Sequence, residues 1–436
     1  MYRQLKRTNK IDKYGSDTYY CSSGTGDYRC GDLQEQARRV SKTAIVGGGA
    51  AGFFLAVNLK EMVPDMEVTI FERSSKVLAK VEVSGGGRCN CTNSFAEIND
   101  LQTAYPRGHR LLKRLFKGFD HEDAYQWFEN HGVELVTQDD ECVFPRAQDS
   151  HAIIDCFLRL AQRYHIRIDK GRRIQQLDEL DGYDYAAVTT GGSPKGEGLR
   201  WLAAMGHEIE TPVPSLFTLS IDDKQLTALQ GLVVNEVTAF IPGTKMKATG
   251  PLLLTHWGMS GPAILKLSSY AARLLAEHDY KTAVSIRWTT MTEGEVQQRF
   301  QQVTVNEPQK QLTTFCPLPL PQRLWTYLLE KSIGDRSRIR WSELNKKDVN
   351  RLVNTLTNDT YRTSGRGTFK DEFVTCGGVA LSSVNAQTLE SKVVKNLYFA
   401  GEVLDIDGIT GGFNFQAAWT TAYTVAKAIC EAEKLK

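Results

Sequence analysis

Apolar and polar positions along this chain follow two different rhythms. From Lys42 the run TAIV is continuously apolar, as in a strand buried on both faces, and Ala50 to Lys60 then places apolar residues at helical spacing. A second apolar strand, Glu67–Glu72, completes a β-α-β unit within about 30 residues. Residues 110–131 read as one helix stopped by Gly132. VELV and ECVFP predict a hairpin across Thr137–Asp140, residues 150–164 a helix, and YDYAAVTTGG a buried strand ending in paired glycines. The rhythm then changes. From Pro212 to about Trp257 short strands alternate with turn signals, the pattern of an antiparallel sheet or barrel. GPAILKLSSYAARLLAEH predicts a helix with Pro262 in its first turn, Thr282–Thr290 predicts a strand, and a stretch from about 318 to 360 is helical and charged. After Cys376 the first rhythm returns: the strand NLYFAG, a glycine loop, and a helix to the C-terminus.

This order predicts an α/β protein whose Rossmann domain is split in sequence. Residues 41–192 and 376–436 form its two parts, and 193–375 are an inserted β-rich domain with a small helical subdomain at about 318–360. A chain of 436 residues suits two or three domains. Residues 1–40 stand apart, rich in Gly, Ser, Asp and Tyr without a sustained period. They lack the apolar core of a secretory signal, and their acidic residues are unlike a transit peptide. The expectation is a dispensable flexible leader, or a start assigned too far upstream.

Composition narrows the partners. Hydrophobic residues make up 41% and charged residues 24%, as in soluble globular proteins. The 53 basic and 51 acidic side chains leave a net charge of +2, which gives no electrostatic footprint for nucleic acid or an anionic membrane. No apolar run of about 18 residues marks a transmembrane helix. Nine cysteines are odd in number and scattered, unlike a secreted disulfide framework, so a reducing cytoplasm is expected. No paired CxxC motif suggests zinc, and no metal is expected. The partner expected is a small-molecule substrate; the oligomeric state stays open.

Five motifs are candidates to carry chemistry. Gly47–Gly48–Gly49–Ala50–Ala51–Gly52 satisfies GxGxxG directly between a strand and a helix: Gly47 for the tight turn, Gly49 for backbone approach to a pyrophosphate, Gly52 for helix–strand packing. Glu72 ends the next strand, where a carboxylate accepts hydrogen bonds from adenosine ribose hydroxyls and disfavours a 2′-phosphate. Gly401–Glu402, closing an apolar strand, matches the Ala-Gly-Asp/Glu pattern with which glutathione-reductase-type flavoproteins reach the ribityl chain. Thr190–Gly191 resembles a third mark of that class, where the chain passes close to the cofactor. VSGGGRCNCTN (Val83–Asn93) exposes consecutive backbone N–H groups as an anion nest, with Arg88 adding a charge suited to an anion. Cys89 and Cys91 are too close for an easy bridge, so two ordinary thiols are expected rather than a redox disulfide. In THWGMSGP, His256 can move a proton and Ser260 can cap the following helix. Packing and capping are the first reading of that segment, a substrate-site role the second.

Together, AIVGGGAAGFFLA, VEVSGGGRCNCTN, ECVFPRA, ATGPLLLTHWGMSGPAILKLS and LYFAGEVLDIDGITGGFNFQAAW resemble the BaiN-like (aminoacetone-oxidase-like) family of FAD-binding flavoproteins, within the glutathione-reductase-type Rossmann class. The resemblance spans about residues 42–431. It implies FAD contacts from Gly47, Gly49, Ala51, Gly52, Glu72, Arg73, Lys80, Ser84, Gly85, Gly86, Gly87, Arg88, Cys89, Asn90, Thr190, Gly191, Gly401, Glu402, Asp405, Gly411, Gly412 and Asn414. The acidic spacer between Lys80 and Ser84 departs from the usual KxxxSGGGRCN without disturbing that expectation. A second GxGxxG is absent, so NAD(P)H, if it is the donor, visits the flavin transiently. The expected activity is an FAD-dependent oxidoreductase that takes hydride from NAD(P)H and passes it through flavin N5 to an activated double bond of a small hydrophobic metabolite, with His256 and Ser260 as candidate catalytic residues. An amine-type oxidase using oxygen and a non-catalytic flavin-bound redox sensor are the alternatives. The insert is expected to shape specificity and to add little to FAD affinity.

Overall fold

A computed structural model describes residues 39–367 and 374–436; the leader expected at residues 1–40 lies outside this range apart from its last two residues. Five parallel strands form the first sheet, in the order Leu397–Phe399, Tyr185–Val188, Lys42–Val46, Glu67–Glu72, Arg167–Lys170. Register decides what this sheet can do. Val46 pairs with both Phe71 and Val188, and Val188 pairs with Phe399. The strands therefore end nearly level, and the segments starting at Gly47, Arg73, Thr189 and Ala400 leave the sheet at one carboxyl edge. Ligands of open α/β sheets bind at such an edge.

The helix Ala50–Met62 is apolar on every side and buried from Ala51 to Leu59. A helix of that kind belongs inside a domain rather than on its surface. It packs against the C-terminal helix Phe413–Lys434. Phe54 joins the two, lying 4.5 Å from Trp127 and 5.1 Å from Trp419 between ring centroids. Aromatic clusters of this geometry add about 0.5–1.5 kcal/mol per pair beyond area burial.

The stretch 110–131 is two helices rather than one, His109–Leu115 and His121–Asn130. Asp120 starts the second, accepting hydrogen bonds from Glu122 and Asp123 N–H while Asp123 reaches back to the Asp120 N–H. This capping box favours a fresh helix start over continuation. The segment after Gly261 is likewise two helices, Pro262–Tyr270 and Ala272–Glu277.

The inserted region contains a closed six-stranded barrel, in the order Val233–Phe240, Lys247–Thr255, Gly258–Ser260, Leu219–Ile221, Asp359–Arg366, Ala283–Arg287. Helices Glu293–Asn306, Gln322–Ile333 and Lys346–Thr357 interrupt it between two hydrogen-bonded strands, so the helical part begins well before residue 318. Trp288, Trp325 and Trp341 lie essentially without exposure in the one core that barrel and helices share. A two-stranded sheet, Ile209–Ser215 with Val374–Val379, runs between barrel and Rossmann sheet. Among the described residues no helix is long and apolar enough to cross a membrane.

Candidate flavin site

Two long helices begin at the carboxyl edge, and both begin bare. Ala50–Met62 has Gly49 as N-cap and Phe413–Lys434 has Gly412; neither has a side-chain cap or an acid in its first turn. Elsewhere in the chain His121–Asn130 and Glu293–Asn306 carry full capping boxes. A helix start leaves N–H groups without partners and a positive dipole end, so a bare one is a place for an external anion. The glycines fit this reading. A methyl on Gly52 would stand 2.0 Å from the Gly47 carbonyl oxygen, so the helix must pack there without one. At Gly49 a methyl would meet nothing within 4 Å. That position is held open on the side a pyrophosphate would approach, and Ala51 is buried beneath it.

Glu72 is already oriented. Its Oε2 accepts from the Gly48 N–H at 2.9 Å and its Oε1 from the Ser74 N–H and hydroxyl at 2.8 and 2.9 Å. A carboxylate has about four lone-pair sites, and three are used, which leaves capacity for a ribose hydroxyl. A cleft of about 460 Å³ opens beside it, lined in part by Gly47, Arg73, Thr190 and Gly191. Arg172, Arg173, Arg200 and Trp201 also line it, and sequence reasoning missed all four. Arg172 and Arg173 follow a strand whose Lys170 pairs with Glu72, a neighbourhood visible only through the sheet order. These groups fit the adenosine and pyrophosphate portions of a dinucleotide.

At the other end Glu402 accepts from the Thr375 N–H at 2.9 Å and from Lys80 Nζ at 2.8 Å. Gly401 N–H donates to Thr421 on the C-terminal helix at 2.9 Å. Gly85, Gly86 and Gly87 take φ of 57°, 70° and 85° in succession, a left-handed run that only glycine adopts freely. The turn closes through Gly87 and Cys89 N–H groups donating to the Ser84 carbonyl, each at 3.0 Å. Asn90 ties this loop to the bare helix start: with its amide oriented as its neighbours require, it donates to the Thr92 carbonyl at 2.8 Å and accepts from the Gly412 N–H at 3.2 Å.

Other expected contacts face the protein. Arg88 lies over the Phe144 ring at 4.2 Å and donates to the Gly85 carbonyl at 3.1 Å. The Ser84 hydroxyl donates to the Val81 carbonyl at 2.7 Å. The Asn414 amide spans Gly408 N–H and carbonyl at 2.8 and 2.9 Å, and Gly411 offers its carbonyl to Asn93 at 3.0 Å. Asp405 takes both of its bonds, 3.1 Å each, from Arg273 of the insert. Cys89 and Cys91 are free thiols without exposure. Burial pushes the Cys89 thiol up to about 12 and Cys91 well above its ordinary value, so neither is a nucleophile.

The insert motif needs a correction. Ser260 does not cap the helix after it: Ser260 pairs with Leu253 inside the barrel, and Gly261, at φ 91°, is the N-cap. His256 sits exposed in the turn before Gly258, edge-on to Trp257 at 4.4 Å. No hydrogen bond or ring contact among the described residues links it to the glycine loops.

The HI0933-like protein Rossmann domain matches residues 41–428. The chain belongs to that family. It is an FAD-dependent oxidoreductase with an FAD-binding Rossmann fold. Relatives within reach of this HI0933-like chain include a 3-dehydro-bile acid Δ(4,6)-reductase of Clostridium scindens, 26% identical over 90% of this chain and 100% of the relative. A ribosomal RNA dihydrouridine synthase of Haemophilus influenzae is 27% identical over 89% of this chain and 98% of its own length. Among solved structures, a 3-ketosteroid Δ1-dehydrogenase from Sterolibacterium denitrificans aligns over 90% of this chain and all of its own, with a TM-score of 0.43 and 11% identity.

Proposed function

We propose that this HI0933-like enzyme reduces a ring carbon–carbon double bond conjugated with a carbonyl, with NAD(P)H as electron donor. The observation that carries the reading is that two relatives, each matched over nearly its whole length, bear names describing this one reaction on unrelated molecules. A Δ(4,6)-reductase acting on a 3-dehydro steroid acid and a synthase of dihydrouridine both add two hydrogens across such a bond. Bound FAD supplies the hydride chemistry. The chain's own residues do the rest. The bare start at Gly49 holds the pyrophosphate, Glu72 the adenosine ribose, and Glu402, steadied by Lys80, the ribityl hydroxyls. The start at Gly412 favours negative charge placed beside it. His256 on the barrel is the proposed proton donor to the substrate. With 53 basic against 51 acidic residues, the charge balance favours a free small molecule over RNA.

The test is anaerobic. Purified holoenzyme is bleached with NADH or NADPH, then mixed with a cyclic enone or with a uridine-containing RNA. Fast bleaching followed by enone-driven recovery of the flavin colour supports the reading. Recovery with RNA alone moves the substrate class to nucleic acid. A flavin that NAD(P)H leaves oxidised removes the reductase reading altogether.

A further inference from the structure

The twelve residues from Gly401 to Gly412 carry the ribityl carboxylate at one end and the bare helix start at the other. Two carboxylates in their middle point away from the carboxyl edge, into the insert. Asp407 has no exposure at all. It accepts from Arg107 Nε at 2.5 Å, from Arg107 Nη2, and from the Ser215 hydroxyl at 3.1 Å. Arg107 uses its remaining nitrogen on the Ser269 carbonyl at 2.8 Å, so one guanidinium bridges the loop to an insert helix. Asp405 receives Arg273 Nη2, which also stands 3.3 Å from Glu210 on the strand Ile209–Ser215. Burial drives the Asp407 carboxyl up and Arg107 pulls it back. A buried charge that loses its partner is strongly destabilising, so the pairing fixes where this loop can lie.

We infer that Arg107 and Arg273 are positioning residues for the flavin: by clamping Asp407 and Asp405 to the insert, they set the places of Glu402 and Gly412. The inference rests on the FAD reading above. Its chemistry separates the two arginines. Arg273 serves both oxygens of Asp405 from one nitrogen, which a lysine ammonium can imitate. Arg107 needs three nitrogens in a planar fork, which lysine cannot supply.

The experiment follows FAD release from the holoenzyme, by the rise of flavin fluorescence on dilution, and the flavin midpoint potential. Arg273 is partly exposed at 44%, so Arg273→Ala is expected to fold. It should release FAD about tenfold faster, the effect of one lost charged hydrogen bond, with a shifted potential, and Arg273→Lys should restore both. Arg107→Lys should release FAD faster without such rescue. Wild-type release and potential in Arg273→Ala would overturn the clamp, as would failure of Arg273→Lys to restore them. If Arg107→Lys does not fold, the Arg273 pair of variants decides. A wild-type protein that holds no FAD would overturn the underlying reading instead, so the two failures are distinct.

Discussion

Gly49→Ala separates folding from cofactor binding. Gly49 has φ −95° and ψ −166°, extended backbone that alanine adopts without strain, and its added methyl would meet no atom within 4 Å. A substitution of this kind stabilises a fold by about 0.4–1 kcal/mol through the unfolded chain. The apoprotein should therefore melt at or slightly above the wild-type temperature. The same methyl would stand in front of N–H groups at the helix start, where the pyrophosphate must come close. Each charge-assisted hydrogen bond is worth about 1.5–3 kcal/mol, and losing two raises the FAD dissociation constant about a hundredfold or more. Gly52→Ala is the contrast. Its methyl would fall 2.0 Å from the Gly47 carbonyl oxygen, so stability and FAD binding should both collapse. The assays are a thermal melt of each apoprotein and a flavin fluorescence titration. An unchanged FAD affinity in Gly49→Ala would show that the pyrophosphate lies elsewhere and would end the argument from the bare helix.

Further outcomes follow from individual contacts. Glu402→Gln removes the charge that holds Lys80 and should weaken FAD binding about ten- to a hundredfold with little change in melting temperature; unchanged retention would remove Glu402 from the site. Neither Cys89 nor Cys91 should react with a thiol reagent until the protein unfolds, and rapid labelling of native protein would contradict their burial. His131 pairs with Glu61 at 2.8 Å; burial opposes its charge, but bonds to Glu61 and the Trp127 carbonyl outweigh it and raise His131 above its ordinary 6.5. Burial likewise opposes the Glu61 charge, and the His131 bond still holds Glu61 below its ordinary 4.5. The pair's stability is then fully present between those two ordinary values and is lost as pH rises through the raised His131 value. His131→Gln should lower the melting temperature more at pH 5.5 than at pH 8.5, and equal losses would refute the pairing.

What the sequence shows and what it hides have a common physical cause. The β-α-β unit is legible because its strands are buried on both faces and its glycines answer to constraints within a few residues. The barrel strand Asp359–Arg366 was not read at all, because its inward positions include Asp359 and Thr363. Asp359 is tolerated there by the Trp288 indole N–H at 2.9 Å and Lys331 at 2.6 Å, partners that no local pattern reveals. The helix break before His121 could have been found, since Asp120 and Asp123 spell a capping box in the sequence itself. The cofactor glycines and Glu72 were read for the same reason as the first strand. Arg172, Arg173 and Arg200 were not, since sheet order alone brings them to the cleft.

Asp405 shows what a resemblance alone leaves out. It stands three residues after Glu402, and the family resemblance implied a cofactor contact from it, whereas its carboxylate is taken by Arg273. The loop lets Val403, Leu404, Ile406 and Ile409 bury while Asp405 and Asp407 turn to arginines outside the loop. The division of labour expected between the domains changes with it. An insert that only shaped specificity would leave the cofactor loop supported by the Rossmann sheet. Instead Thr375, at the end of the insert, donates its N–H to Glu402, and Ser215 donates to Asp407. The Val379 N–H, on the strand that pairs with Ile209–Ser215, donates to the Val403 carbonyl at 2.8 Å, and the Asp405 N–H returns to the Val379 carbonyl at 3.0 Å. The loop that carries Glu402 is thus bridged, at Leu404, to the strand that pairs with Ile209–Ser215. A change in the insert that moves this sheet moves a partner of the carboxylate with it, so substitutions along Ile209–Ser215 are expected to alter FAD affinity in a flavin fluorescence titration, and an unchanged affinity would refute the coupling.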